Sequence, residues 1–204
     1  MISQAYDGAA NMSGKRNGVQ VILRPQSPHS VYSWCRGHRL NLASVQASKD
    51  VALIHRVHGT LLTLWKLFYY SPLKAAKLRE VQKLLQTTQL KMAKPSDTRW
   101  LAIGRQTEVV YNEYPAILAT LDAIYEEDGD AAANGCARLL RQFDHLAAVH
   151  LLNEALNILN VLSKSLQGTT QNVCKISTLV NSTIQRLQQL LVDPPVASKG
   201  CGES

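Results

Sequence analysis

Between His38 and Phe68 the apolar residues Leu40, Ala43, Ala47, Val51, Ile54, Val57, Leu61, Leu64, Trp65 and Phe68 recur mostly at steps of three or four. That period lays one apolar stripe along a long helix or a broken pair of helices, and Gly59 is the expected break. Ser71-Pro72 predicts a fresh helix start, since serine caps free N–H groups and proline's missing N–H is not needed in the first turn. That helix should run through Val81, Leu84 and Leu85. After Pro95, Ser96 or Asp97 can cap a helix carrying Arg99 and Trp100, expected to be disturbed at Pro115. The acidic run 126 to 130, with Gly129, reads as a solvated linker. Two amphipathic helices follow, one through Leu139, Phe143, Leu146, His150, Leu156, Leu159, Leu162 and Leu166, the other through Val173, Ile176, Val180, Ile184, Leu187 and Leu191. Gly168-Thr169-Thr170 between them is short enough for antiparallel packing. The tail after Val192 is rich in Pro, Gly and Ser and is predicted to be disordered.

The first forty residues follow a different pattern. Tyr6-Asp7-Gly8 reads as an extended segment turning into a helix, and Gly14 and Gly18 should keep that helix short. Pro25 and Pro28 mark a loop before Val31-Tyr32-Ser33-Trp34, a short candidate strand that needs neighbours the chain barely offers. The expected organisation is a small basic α/β portion in residues 1–70, a helical region in 71–192 and a tail in 193–204, mostly helical overall.

Charge sharpens this division. Residues 1 to 100 carry 15 lysines and arginines against 4 acids, whereas residues 101 to 204 carry 7 against 11. An anionic partner, DNA or RNA, is therefore expected to meet the first half. Cysteines at 35, 136, 174 and 201 make no close-spaced framework, and there is neither a signal-peptide pattern nor an uncharged apolar stretch of membrane-spanning length. Nucleus or cytoplasm is the expected location, with no membrane partner.

Three groups carry candidate chemistry. Asp7, at a strand end and released by Gly8, suits a Mg²⁺ or Mn²⁺ ligand, and suits equally an aspartate stabilised by the free N–H groups and dipole of a helix start. Cys35 and His38 with His55 and His58 form a nominal C-x2-H-x16-H-x2-H zinc set, against which stands a packed, hydrogen-bonded Cys and His. A thiol-protease role for Cys35 lacks an identifiable base and orienting group. In Asp97-Thr98-Arg99-Trp100, the tryptophan suits base stacking beside cations that meet phosphates, or simply a core position with Arg99 at its rim. Lys15, Arg16, Arg24, Arg36 and Arg39 extend the basic surface.

Taken in order, YDGAANMSGKRNGVQ at 6 to 20, CRGHRLNL at 35 to 42 and DTRW at 97 to 100 resemble the central part of an hAT-superfamily transposase. The resemblance is greatest to domesticated vertebrate proteins that accompany TTF-type or MYM-type zinc fingers, and it covers roughly residues 4 to 192. It implies an RNase H-like α/β fold with a helical insertion, here an α/β remnant followed by a mainly α-helical region. It also implies that Asp7 occupies the second of three acidic metal-ligand positions, that Cys35 and His38 match a family C-x2-H signature that is not a zinc finger, and that Trp100 matches a tryptophan opening the insertion. The first strands, the first aspartate and a catalytic-glutamate helix have no counterpart in residues 1 to 204, and Glu154 is a poor substitute for the last. One carboxylate cannot hold two metal ions on a scissile phosphate.

The expected function is thus a non-catalytic transposase-derived fragment, a protein-interaction or weak nucleic-acid-binding module and not an enzyme, with Mg or Mn only as an ancestral cofactor and Asp7 as a vestigial ligand. Its candidate nucleic-acid contacts are Lys15, Arg16, Arg36, Arg39 and Arg99. The alternatives are a helical protein-interaction or self-association module using residues 137–192, and part of a metal-dependent DNA strand-transfer enzyme if a longer chain supplies the missing segments.

Overall fold

A computed structural model describes residues 3–95, 100–167 and 173–194. It is mostly helical, with one small sheet near its amino terminus. Strand β1 (Ser3–Tyr6) is followed by the short helices α1 (Ala10–Ser13) and α2 (Val19–Ile22), a 3-10 turn at Arg24–Gln26, and strand β2 (Val31–Trp34). The two strands pair in parallel, in a register from Ser3 opposite Val31 to Tyr6 opposite Trp34. Parallel strands require a crossover connection, and this one is helical. The predicted strand at 31–34 and the short, glycine-interrupted helical segment are therefore present, and the partner of β2 comes from the first residues of the chain.

Helix α3 (Arg36–Ser48) and helix α4 (Ala52–Tyr69) form the expected broken pair, but the break lies at 49–51 and not at Gly59. Val51 is extended, and the His55 ring is 2.8 Å from the Lys49 carbonyl across the corner. Gly59 stays helical because Val57, Thr60, Leu61, Leu64, Leu67 and Phe68 are buried on either side of it. Burying a row of leucines at about 1.5–3 kcal/mol each outweighs roughly 1 kcal/mol of glycine helix penalty. Helix α5 (Pro72–Leu84) begins as predicted, with the Ser71 hydroxyl accepting from the Lys74 N–H.

Helix α6 (Trp100–Asp128) continues without a break through Pro115, contrary to expectation. Pro115 is exposed while Glu113, Ala116, Ile117, Thr120, Leu121 and Ile124 are buried, so the missing backbone bond faces solvent and the apolar stripe holds the helix together. The acidic run is not a linker either. Residues 126–128 complete α6, Gly129 turns the chain at φ +65°, and Asp130 caps helix α7 (Ala131–Leu140) by accepting from the N–H groups of Ala132 and Ala133. Asp130 and Glu127 also bind Lys74 and Lys77 of α5. The proposed single helix from Leu139 to Leu166 is divided, since α7 ends at Leu140 and α8 (Phe143–Gln167) begins after a turn at 141–142. Helix α9 (Val173–Val192) closes the described chain. The expected cap at Ser96 or Asp97, the Gly168-Thr169-Thr170 connection and residues 195–204 of the tail lie outside the described residues.

The core gathers Val57, Leu61, Leu64, Ile103, Val110, Ile117, Leu121, Leu140, Val149 and Leu156, with α6 packed against α5, α7 and α8 at its centre. It takes in α4 as well as the later helices, so packing runs across residue 70. Gly104 allows the close approach of α6 to α8, where an added Cβ would lie 2.9 Å from the Asn160 amide nitrogen and 3.2 Å from the Leu156 Cβ. Helix α8 is long and apolar enough, by length and composition alone, to cross a bilayer. It carries Asp144, Glu154 and Lys164, however, and one side of it buries His145, Asn153 and Ser163 against its neighbours, as an amphipathic helix of a folded bundle does.

Candidate functional site

Asp7 and Cys35 directly follow the paired ends Tyr6 and Trp34, and the Cys35 N–H donates to the Tyr6 carbonyl at 2.8 Å. Both residues therefore leave the sheet at its carboxyl edge, where ligands commonly bind in α/β folds. The sharp exit depends on Gly8, whose φ of +85° is open to glycine at little cost and whose Cα faces the Trp34 ring, 3.5 Å from where a Cβ would sit.

The Asp7 carboxylate is exposed, and its Oδ1 accepts the Ala9 N–H at 3.0 Å. The Ser13 hydroxyl ties the same turn by donating to the carbonyls of Gly8 and Ala9. Asp7 thus does the work of a turn-forming aspartate at this position. Cys35 is partly buried and its side chain makes no capping bond to α3; His38 is half-buried in the first turn of α3. The nominal zinc set is not assembled. Among the described residues no three His, Cys, Asp or Glu side chains converge as metal ligands, and His55 is engaged with the Lys49 carbonyl. Glu154 lies on α8, half-buried.

The basic candidates among the described residues are at the surface. Lys15 and Arg16 sit in the turn between α1 and α2, Arg24 begins the 3-10 turn, and Arg36 and Arg39 occupy the first turns of α3; all five are exposed. Arg36 and Arg39 lie three residues apart and so share a helix face, beside the carboxyl edge of the sheet. Only Asp7 and Asp50 are acidic among residues 1 to 50. Arg99 lies outside the described residues, and Trp100 is placed as the first residue of α6.

Two polar groupings escaped the sequence reading. Glu113 is fully buried in α6 and accepts hydrogen bonds from the hydroxyls of Thr87 and Thr88 (the latter at 2.7 Å) and from the Leu90 N–H at 3.0 Å. Burial pushes its carboxyl up, but these bonds together with Gln82 outweigh it and hold the carboxyl below its usual range. His145 is also buried, with no hydrogen-bond partner on either ring nitrogen; burial and then the positive charge of Arg56 push it down. Neither group was foreseen, because a Glu or His within a helical stripe carries no local sign of how deeply it is placed.

At the junction of α4 and α5 a third grouping is aromatic. Trp65 and Tyr69 stack with ring centroids 4.7 Å apart, Tyr70 meets both edge-on, and the Lys94 ammonium lies 5.5 Å from the Trp65 ring. The adjacent tyrosines before Ser71-Pro72, flanked by Lys66 and Lys74, were its signal in the sequence.

Compared with known protein families and with solved structures, the chain matches none.

Proposed function

We propose that this chain is a non-catalytic, transposase-derived nucleic-acid-binding module that meets phosphates through its basic amino-terminal half. The observation that carries the reading is the five exposed cations Lys15, Arg16, Arg24, Arg36 and Arg39 of the sheet portion, of which Arg36 and Arg39 adjoin the carboxyl edge of the sheet, against two acids in the first fifty residues. Lysine and arginine at that density neutralise phosphates and release counterions, which yields sequence-independent affinity. The absence of catalysis is supported by the use of Asp7, an exposed carboxylate committed to its own turn. The parallel β1–β2 pair, the helical crossover and the Asp7 exit are compatible with an RNase H-like ancestry for residues 1–70.

The test is binding of the recombinant chain to labelled DNA and RNA across a salt series. Affinity should fall steeply as salt rises, and no binding even at low salt would sink the reading. With Mn²⁺ and labelled DNA the chain should neither cleave nor transfer strands; turnover abolished by Asp7→Ala would overturn the non-catalytic part.

A second reading, a protein-interaction or self-association module, is favoured by α8 and α9. Val161 on α8 is 57% exposed, and on α9 Ile184 and Leu191 are 48% and 82% exposed although the helix packs on α8. An exposed apolar row of this kind marks an interface or an aggregation hazard. Light scattering that shows a monomer at all concentrations would remove it.

A further inference from the structure

Among residues 51 to 96 the sequence places eight lysines and arginines and a single acid, Glu80. Two of the cations, Lys74 and Lys77, are bound to Asp130 and Glu127. Lys66, Arg79, Lys91 and Lys94 remain exposed around the α4–α5 junction. At the same junction Tyr69 and Tyr70 are 65% and 71% exposed, their rings nearly perpendicular and 5.0 Å apart. Tyr69 rests on the nearly buried Trp65, which fixes its plane, and Lys66 lies three and four residues earlier on the same helix face. Beside Tyr69 opens a cleft of about 200 Å³ floored by Phe68, Leu78 and Leu90, with Arg79 and Lys91 at its rim.

Exposed rings among cations that make no ion pair within the described residues combine the two elements that hold a single strand: π-faces on which any base can stack, and charges that follow the phosphates. A protein partner fits less well, because lysine is depleted at the centre of protein interfaces. A duplex also fits less well, since its bases are already stacked and show no face to a tyrosine. A cleft of this size, smaller than the roughly 300–1,000 Å³ that encloses a drug-sized ligand, suits one planar ring.

We infer that the α4–α5 junction is a single-stranded nucleic-acid site, in which Tyr69 and Tyr70 stack on bases while Lys66, Arg79 and Lys91 contact the flanking phosphates. The inference rests on the nucleic-acid reading above and deepens it, by naming the strand state and a second contact surface beyond the sheet edge.

The experiment is fluorescence anisotropy of the full chain with labelled oligothymidylate, oligouridylate and a DNA duplex of equal length. Wild type should bind the single strands in preference to the duplex, and the oligothymidylate and oligouridylate arms read DNA against RNA preference. The double variant Tyr69→Ala, Tyr70→Ala should lose about 5- to 100-fold of single-strand affinity, the range expected for losing base–aromatic stacking, with duplex affinity unchanged. The Tyr69→Phe, Tyr70→Phe pair keeps the rings and should bind as wild type. An alanine pair that binds single strands as wild type does, or a wild type that prefers the duplex, overturns this site while leaving nucleic-acid binding intact. A wild type that binds none of the three overturns both. Should the alanine pair fail to fold by circular dichroism, photocrosslinking of bromouridine oligonucleotides to wild type decides: adducts at Tyr69 or Tyr70 uphold the site, and adducts confined to other residues overturn it.

Discussion

The helical core and the small sheet are built on different terms. In the core, Leu61, Leu64, Ile117 and Leu121 are wholly buried, and α6 packs against α5, α7 and α8 and touches α3 and α4 as well. In the sheet portion every residue of β2 is exposed or only partly buried, and Gln4 is the buried side chain of β1. Parallel sheets normally have both faces covered, and two strands alone are marginal in water. Here the pair is held by its ladder, the crossover and the turn around Asp7. The contrast teaches that stability resides in the helices, while the exposed cations proposed to act on nucleic acid sit on the less stable portion or on the rim of the core. Regions of low local stability are those from which mobile binding elements are drawn.

The largest break in this comparison should come from the core. Leu61→Ala removes a side chain with no exposure and leaves a cavity, at an expected cost of about 2–5 kcal/mol. Val31→Ala, in a residue 67% exposed on β2, should stay within about 0.5 kcal/mol. Urea denaturation of both variants measures the difference, and equal losses would show that the two regions share one core after all.

Next is Glu113, which joins the loop after α5 to the middle of α6. Glu113→Ala removes the acceptor of the Leu90 N–H and of the Thr87 and Thr88 hydroxyls, of which Thr87 retains the Gln82 carbonyl and Thr88 reaches water, and should cost roughly 1–3 kcal/mol. Its pH signature has a defined sign. Because the folded carboxyl is held below its unfolded value of about 4.3, its contribution is complete above that pH and is lost as pH falls through the lower folded value. Denaturation followed below about pH 4.5 should therefore be less steep in pH for Glu113→Gln than for wild type.

Local sequence carried the helices well and the polar interior poorly. The period of three and four located α4, α8 and α9, and Ser71-Pro72 located the start of α5, because a cap and a stripe are properties of neighbouring residues. Gly59 and Pro115 misled for the opposite reason: both are unfavourable in a helix taken alone, and burial of their neighbours by other helices overrides them. The break at 141–142 and the cap by Asp130 depend on how α7 and α5 dock, which no single segment records. At the sheet edge, Asp7-Gly8 was legible as a turn. That Glu113 and His145 would be buried, and that Tyr69 and Tyr70 would not, was decided by packing between elements far apart in the chain.

His145 gives a smaller effect in a separate pH window. Its folded ring is held below the unfolded value of about 6.5, so the unfolded chain takes up the proton first, and stability declines as pH drops from above that value toward the folded one. His145→Leu removes an unpartnered buried polar group and should be neutral at pH 7, or stabilising by up to about 1 kcal/mol. It should also flatten the decline just below neutrality while leaving the Glu113 effect at lower pH untouched. Thermal melts across the two windows separate the groups, and an unchanged slope near pH 6 would show that His145 is not the residue that titrates there.

The smallest effect on stability should be the largest on binding. Arg36→Glu with Arg39→Glu changes two exposed residues on one face of α3, so the urea midpoint should shift by no more than about 0.5 kcal/mol in stability. If these arginines meet phosphates, each lost contact reduces the slope of log affinity against log salt by about 0.7 to 0.9. Binding to single strands and duplex should weaken together, because phosphate contacts carry no information about base faces. That pattern differs from the tyrosine pair, whose removal should act on single strands alone. Finding the salt slope unchanged would move the phosphate contacts off α3 and toward Lys66, Arg79 and Lys91, so the comparison between the sheet edge and the helical rim would be decided in favour of the rim.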